Sequence, residues 1–130
     1  MSQRNVEVVR RGFDAFNRRD VEELVTLSHP DCEWHPFRAQ LEGSVYRGHE
    51  GVRRFVSDMD DDWASFEIHP RELHDLGERV LATGQVQALA RGSGVAVDNL
   101  GGFVFELRDG HIARLVSHSD PEAARAAAAQ

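Results

Sequence analysis

The chain has little cysteine and a deficit of basic residues. Cys32 is the single cysteine among 130 residues, which excludes an intrachain disulfide and fits a reducing cytoplasm. Basic residues number 15 against 22 acidic ones, for a formal net charge of −7. Because a phosphate backbone is bound by a basic patch, this balance argues against a nucleic-acid partner.

Long apolar runs are missing as well. No stretch approaches the roughly 20 apolar residues that cross a bilayer, and the polar start has no signal-peptide pattern. We therefore expect a cytoplasmic protein with no membrane partner. The length fits one domain over residues 1–130, with a core at about 4–120 and a C-terminal helix or tail at 121–130.

Apolar residues recur at helical spacing in the first half of the chain. One helix is predicted over residues 4–18. A second begins after Asp20, whose side chain resembles a capping box with Glu23 three residues later. A third carries its apolar residues within 52–59, and residues 38–48 are predicted to be a polar loop or short hairpin.

The second half has the pattern of long strands joined by tight turns. A glycine pair, Gly101-Gly102, lies inside one of them and predicts a bulge that bends the sheet. Asp120 followed by Pro121 is typical of a helix start, so the chain is expected to end in a helix. The four predicted strands are separated by glycine-containing hairpin turns and span 66–76, 80–91, 95–108 and 112–118.

The segment Cys32–Phe37 contains the strongest candidate for acid–base chemistry. In a strand, alternation points Glu33 and His35 to one side, and Cys32 and Trp34 to the other. Histidine titrates near neutral pH, so His35 could be a general acid or base, or alternatively a structural, hydrogen-bonded histidine. Glu33 could tune it or could lie in solvent. Cys32 is interpreted as a small buried hydrophobe.

Two further sets of residues could line a binding site. Gln85 and Gln87 share one face of a strand: if they point inward they imply a ligand or polar network, and if outward a sheet contact between subunits. The direction of Asp98 is left open. Four aromatic residues could line an apolar cavity or simply form the core, namely Phe16, Trp63, Phe103 and Phe105.

The acidic run at residues 58–62 raises the possibility of a divalent cation. These neighbouring aspartates lack the spacing and glycine turn of a loop site, so a solvated helix end is the preferred interpretation. The histidines at 69, 74 and 111 show no recognisable ligand spacing. We predict no metal site.

Four motifs occur in an order that resembles a known superfamily. The order helix, helix, strand, helix, then long antiparallel strands, together with these motifs, resembles the nuclear transport factor 2-like superfamily in its SnoaL-like, polyketide-cyclase branch. The resemblance covers about residue 4 to Asp120. The motifs are Asn17–Asp20, His29–Trp34, Gly48–Val52 and Arg108–Ile112.

The resemblance implies both a fold and a range of functions. The implied fold is α+β: a curved antiparallel sheet forms a cone, a cystatin-like α+β barrel, closed by three N-terminal helices and enclosing a pocket. Family members include ketosteroid isomerases, limonene-epoxide hydrolases, polyketide cyclases, dehydratases and non-catalytic binding modules. It also implies a homodimer.

Individual catalytic residues carry over incompletely. His35 matches the position of the ketosteroid isomerase base. The oxyanion donors of those enzymes fall on Gly12 and Phe103, which cannot donate from their side chains, so steroid isomerisation by that mechanism is disfavoured. The charged residues of the epoxide hydrolases fall on Gln85, Gln87 and Ser117, which could orient a neutral polar ligand.

The sequence therefore leads to one main functional hypothesis and two alternatives. The main one is a cofactor-free isomerase, cyclase or dehydratase that moves a proton on a small apolar, carbonyl-bearing molecule. His35 would be the base, Gln85, Gln87 or Ser117 would orient the substrate, and the aromatic residues would exclude water. The alternatives are a non-catalytic ligand-binding protein and a dimerisation module with a filled cone.

Overall fold

A computed structural model describes residues 2–130 as a mixed α+β structure. Over these residues the helices are α1 (Ser2–Asn17), α2 (Val21–Leu27), α3 (Phe37–Leu41), α4 (Gly48–Asp62) and α5 (Pro121–Ala128). The strands are β1 (Ser28–His35), β2 (Tyr46–Arg47), β3 (Trp63–Asp75), β4 (Arg79–Ala90), β5 (Ala96–Arg108) and β6 (His111–His118).

The six strands form one curved sheet in the order β2-β1-β6-β5-β4-β3. The four long strands β3 to β6 are a meander of antiparallel hairpins, as their turn sequences predict. β1 pairs with β6 in parallel, which the long connection between these two strands permits. The sheet is not closed into a barrel, so the predicted cone is open, and it is not antiparallel throughout.

The sheet has an inner face, which is covered by α1, α2 and α4, and an outer face. The inner face and these helices share the main hydrophobic core, to which Val9, Leu24, Val52, Val80 and Ile112 contribute almost fully buried side chains. α5 instead packs on the outer face and buries a small second cluster there. The three predicted helices thus cover one face, which leaves an enclosed space between helices and sheet.

Both predicted helix caps are confirmed. The Asp20 carboxylate accepts a hydrogen bond from the backbone N–H of Glu23 at 3.2 Å, at the start of α2. The Asp120 carboxylate accepts one from the N–H of Ala123 at 2.8 Å, and Pro121 occupies the first turn of α5. Each side chain satisfies a backbone donor that the helix leaves unpaired.

Two segments differ from the sequence prediction. The segment 38–48, predicted as a polar loop or short hairpin, contains most of helix α3 and the short strand β2, and β1 begins at Ser28 rather than Cys32. These short elements lie beside the enclosed space and help to shape it.

The prediction of a bulge at Gly101-Gly102 is wrong. β4 and β5 keep a continuous register through these residues. The glycine at 102 is explained by packing, since a Cβ there would lie 2.5 Å from the Cβ of Ala124 on α5. An irregularity between β5 and β6 lies further along, at Glu106 and Leu107.

Candidate functional site

A cavity of about 600 Å³ lies between the inner face of the sheet and the helices, and it is partly open to solvent. This volume is within the range of about 300–1,000 Å³ that is usual for small-molecule sites. The long strands supply one wall and α1 and α4 the other. The buried part of the lining is apolar and rich in aromatic residues, namely Phe13, Phe16, Trp34, Phe55, Phe103 and Phe105.

Most ring contacts in the wall are edge to face, and Phe16 and Phe55 are stacked. Phe13 on α1 contacts Phe103 and Phe105 on β5, with both ring-centroid distances at 5.5 Å. Phe66 on β3 contacts Phe16 at 5.9 Å and Trp63 at 5.2 Å. Such pairs hold one another in place, so the wall is set before any ligand arrives.

A hydrogen-bonded pair of side chains brings polarity to this apolar space. Tyr46 from β2 and Asp58 from α4 both line the cavity, and the Tyr46 hydroxyl donates to Asp58 Oδ2 at 2.5 Å. Burial, and then the hydrogen bond to Asp58, raise the pKa of Tyr46 to about 12. The phenol is therefore neutral near pH 7 and serves as a hydrogen-bond donor.

Helix α3 lies at the mouth of the cavity. Arg38 on this helix forms an ion pair with Asp62 at the end of α4, with an N···O distance of 2.6 Å. Gln40 donates to the backbone carbonyl groups of His35 and Ser117, at 2.8 and 2.7 Å. These contacts attach a short, exposed helix to two sides of the mouth.

Trp34 is deeply buried, and within the described part of the chain its indole N–H is an unpaired hydrogen-bond donor. Trp34 is 3% exposed and lines the cavity. Its ring packs against that of Phe55, with 5.3 Å between the ring centroids. Within residues 2–130 the indole Nε1–H has no hydrogen-bond acceptor. A buried donor without a partner costs about 1–3 kcal/mol, so Trp34 is an unusual residue in this wall.

Five of the predicted ligand-binding residues lie at the cavity. The four aromatic residues and the serine come from α1, β3, β5 and β6, which converge on the same space. Their contact with a ligand stays a prediction. The five residues are Phe16, Trp63, Phe103, Phe105 and Ser117.

His35 does not face the cavity, contrary to the expectation from sequence. Alternation along β1 is as predicted, but the apolar pair Cys32 and Trp34 takes the inner face, where both are buried. His35 and Glu33 are on the outer side, where His35 Nε2 lies 3.1 Å from Glu33 Oε1 and Arg47 donates to Glu33 at 2.7 Å. The His35 hydrogen bond is the main cause that lowers the pKa of Glu33.

Gln85 and Gln87 are likewise on the outer face. The alternate residues Ala82 and Val86 of β4 pack with the core, which turns the glutamines the other way. Gln85 donates to Asp98 at 2.6 Å, so Asp98 also lies outward. The Gln85 amide also accepts from Arg71 at 3.3 Å on the sheet surface, and neither glutamine lines the cavity.

Tyr46 and Asp58 were not predicted as site residues. Asp58 belongs to the acidic run that was interpreted as a solvated helix end, yet it lies three residues after the buried Phe55 and so shares its face of α4. That spacing was the available signal. Tyr46 lay in a segment predicted to be a polar loop or short hairpin, and nothing local connects it to Asp58.

The described part of the chain holds neither a metal cluster nor a membrane-spanning helix. Within residues 2–130, no three His, Cys, Asp or Glu side chains come together as a metal site requires. Over the same residues, no helix is both long and apolar enough to span a bilayer.

The open curved sheet, its helical cover and the apolar cavity define a class of α+β proteins with a ligand-sized interior. The chain belongs to the SnoaL-like domain family of the NTF2-like superfamily, since the sequence model of that domain matches residues 9–115. The predicted resemblance and the α+β fold class are confirmed. No curated protein matches the chain.

Solved structures share this fold. An NTF2-like protein of unknown function from Burkholderia pseudomallei is 24% identical, with a TM-score of 0.80, and the match covers 92% of this chain and 93% of that one. TerC, co-crystallised with polyporic acid, is 24% identical with a TM-score of 0.79 over 95% and 96%. A putative polyketide cyclase from Xanthomonas campestris is 24% identical with a TM-score of 0.73 over 93% of each chain.

Proposed function

We propose that this protein binds a small, mainly apolar, carbonyl-bearing molecule in the cavity and moves a proton on it without a cofactor. The observation that carries the proposal is the cavity of about 600 Å³, with its aromatic wall and the Tyr46–Asp58 pair. Isomerisation, cyclisation and dehydration all begin with such a proton transfer next to a carbonyl group. The co-crystallisation of the similarly folded TerC with polyporic acid supports an organic ligand for this fold.

The apolar wall favours a ligand with little charge. Transfer of apolar surface out of water contributes roughly 25 cal/mol per Å², and aromatic side chains supply most of the buried lining. A charged ligand would lose its hydration in this space and find few partners there. A ketone or similar carbonyl compound fits because its one polar atom needs only one or two donors.

Asp58 replaces His35 as the proposed base. One carboxylate oxygen, Oδ2, accepts the Tyr46 hydroxyl, and the other makes no hydrogen bond within residues 2–130. In the proposed step Oδ1 takes a proton from the carbon next to the carbonyl, leaving an enolate and a neutral Asp58 acid. Return of that proton to a different carbon would complete an isomerisation.

Deuterium exchange tests this step without knowledge of the natural substrate. 1-Tetralone is a bicyclic ketone with exchangeable hydrogens next to its carbonyl, and proton NMR in D₂O follows their loss. We expect the protein to accelerate the exchange and Asp58→Asn to lose about 10²-fold or more of that acceleration. Asp61→Asn is the matched control, because Asp61 is exposed on the same helix and does not line the cavity.

The second candidate is a non-catalytic binding protein of the same shape. It is favoured by one observation: the histidine that sequence comparison aligned with a catalytic base lies on the outer face. Saturable binding of 1-tetralone together with exchange at the uncatalysed rate would establish this candidate and exclude the catalytic one.

We further propose a homodimer in the cytoplasm. The outer face exposes apolar side chains beside its glutamines, with Leu89 42% and Leu100 40% exposed, which supports a sheet contact between two copies. Buried, unpaired Cys32 fits a reducing compartment. Light scattering of the purified protein measures the mass, and a value near the 14.6 kDa of one chain would exclude the dimer.

A further inference from the structure

We propose that the indole Nε1–H of Trp34 binds the hydrogen-bond acceptor of the ligand, and so selects carbonyl-bearing molecules over hydrocarbons of the same shape. The inference rests on the proposed function and names the group that recognises the ligand's oxygen. It is based on the burial of Trp34, its place in the cavity wall and its unpartnered donor.

The unmet donor is unusual because its surroundings are otherwise well satisfied. Among residues 2–130, Trp34 Nε1 is the one buried side-chain nitrogen or oxygen without a hydrogen-bond partner. Buried polar groups in folded proteins are nearly always paired, because an unmade bond costs free energy that a Phe at this position would avoid. An acceptor that arrives with the ligand would remove that cost.

The neighbours of Trp34 connect its ring to the residue that holds the proposed base. Trp34 and Tyr46 are cross-strand partners in β1 and β2, and both rings pack against Phe55 on α4. Tyr46 in turn holds Asp58. A carbonyl oxygen bound by the indole would therefore lie in the same part of the cavity as the carboxylate that takes the neighbouring proton.

Tyr46 is less suited to this task in the observed arrangement. Its hydroxyl hydrogen is used by Asp58, so it would have to leave that bond in order to donate to a ligand. Among the other polar side chains of the lining that could donate, Arg38 and Asn99 are exposed, and Ser117 and His118 are half-buried. Trp34 is the more deeply buried residue, and its indole can donate but cannot accept.

Fluorenone and fluorene provide a matched pair of probes. They share a rigid three-ring frame and differ in one group, a ketone against a methylene. Calorimetric titration should show about three- to tenfold tighter binding of fluorenone, the value of one neutral hydrogen bond. In Trp34→Phe the preference should vanish, whereas in Trp63→Phe, which removes the other tryptophan of the same cavity, it should persist.

A second measurement follows the wild-type protein and uses a variant only to assign its signals. The chain has two tryptophans, so ¹⁵N-correlated NMR shows two indole N–H signals, and Trp63→Phe assigns them. The Trp34 signal should move downfield when fluorenone binds and not when fluorene binds, because a new N–H···O bond deshields the proton.

The outcomes separate this inference from the proposed function. If both probes bind with equal affinity and the Trp34 signal moves equally with each, the cavity binds ligands but the indole does not select them, and the inference is wrong. It is also wrong if the Trp34 signal does not move when fluorenone is bound. If neither probe binds at saturating concentration, the proposed function fails and this inference fails with it.

Discussion

Tyr46 should titrate about two pH units above an ordinary tyrosine. Its phenol is half-buried beside the cavity and donates to the Asp58 carboxylate at 2.5 Å, and these two features raise its pKa from 10 to about 12. That difference corresponds to a phenol about 100-fold less acidic than one in water. Because it is the single tyrosine of the chain, phenolate absorbance near 295 nm reports on this residue alone.

Substitution of Asp58 should separate the two causes of the raised Tyr46 pKa, which are burial and the hydrogen bond to Asp58. Asp58→Asn removes the negative charge and weakens the hydrogen bond, so the pKa of Tyr46 should fall. It should stay above 10, because burial is the larger cause. Asp61→Asn removes the same charge from the same helix without touching Tyr46, and should leave the titration unchanged.

The sign of the linked stability change follows from the direction of the shift. A raised pKa means that the folded chain favours the protonated phenol, so this contribution to stability is complete below pH 10 and is lost as the pH rises from 10 towards 12. Circular dichroism at each pH shows whether the chain is still folded. The reasoning would be refuted if Tyr46 titrates at pH 10 in the folded protein. It would also be refuted if Asp58→Asn and Asp61→Asn change the pKa of Tyr46 equally.

Three further predictions concern packing, reactivity and the mouth of the cavity. Gly102→Ala should lower the free energy of unfolding by about 1–3 kcal/mol in urea titrations, since its Cβ would collide with α5, and stability equal to wild type would contradict that packing. Cys32 should resist a thiol reagent at pH 8 until urea is added, because burial raises its pKa, and rapid labelling of the folded protein would contradict its burial. Arg38→Ala should speed hydrogen exchange in α3 with little change in melting temperature, because its ion pair with Asp62 is exposed, and unchanged exchange would show that the pair does not hold the helix.

Local periodicity was sufficient to predict most of the fold. Amphipathic spacing located α1, α2 and α4, and glycine-containing turns located the four long strands to within a few residues. These signals are local, because they reflect which side of one element is apolar. β1 shows the limit: alternation correctly grouped Glu33 with His35, but it could not decide which group faced inward. Burial of Trp34 decided it.

The parts of the site that were missed depend on long-range contacts. The Tyr46–Asp58 hydrogen bond joins a two-residue strand to a helix, and no periodicity encodes that meeting. Gly102 was interpreted through its backbone freedom, whereas its reason is the approach of α5 from the other end of the chain. Sequence therefore predicted the cavity's aromatic lining better than its polar groups.

The central claim is that the cavity itself binds an apolar carbonyl compound, and filling it provides the most direct test. Gly12 on α1 lines the cavity, and a Cβ there meets nothing closer than 3.5 Å, so Gly12→Leu adds bulk inside without a backbone clash. Replacing a helical glycine should also keep or raise the melting temperature. Ser57→Leu adds the same side chain on the exposed face of α4 as a control.

The measurement is a fluorescence titration with fluorenone, because both tryptophans of the chain line the cavity. Saturable quenching is expected in the wild type and in Ser57→Leu, and it should be lost in a folded Gly12→Leu. Equal binding by Gly12→Leu, or no saturable binding by the wild type, would contradict the claim.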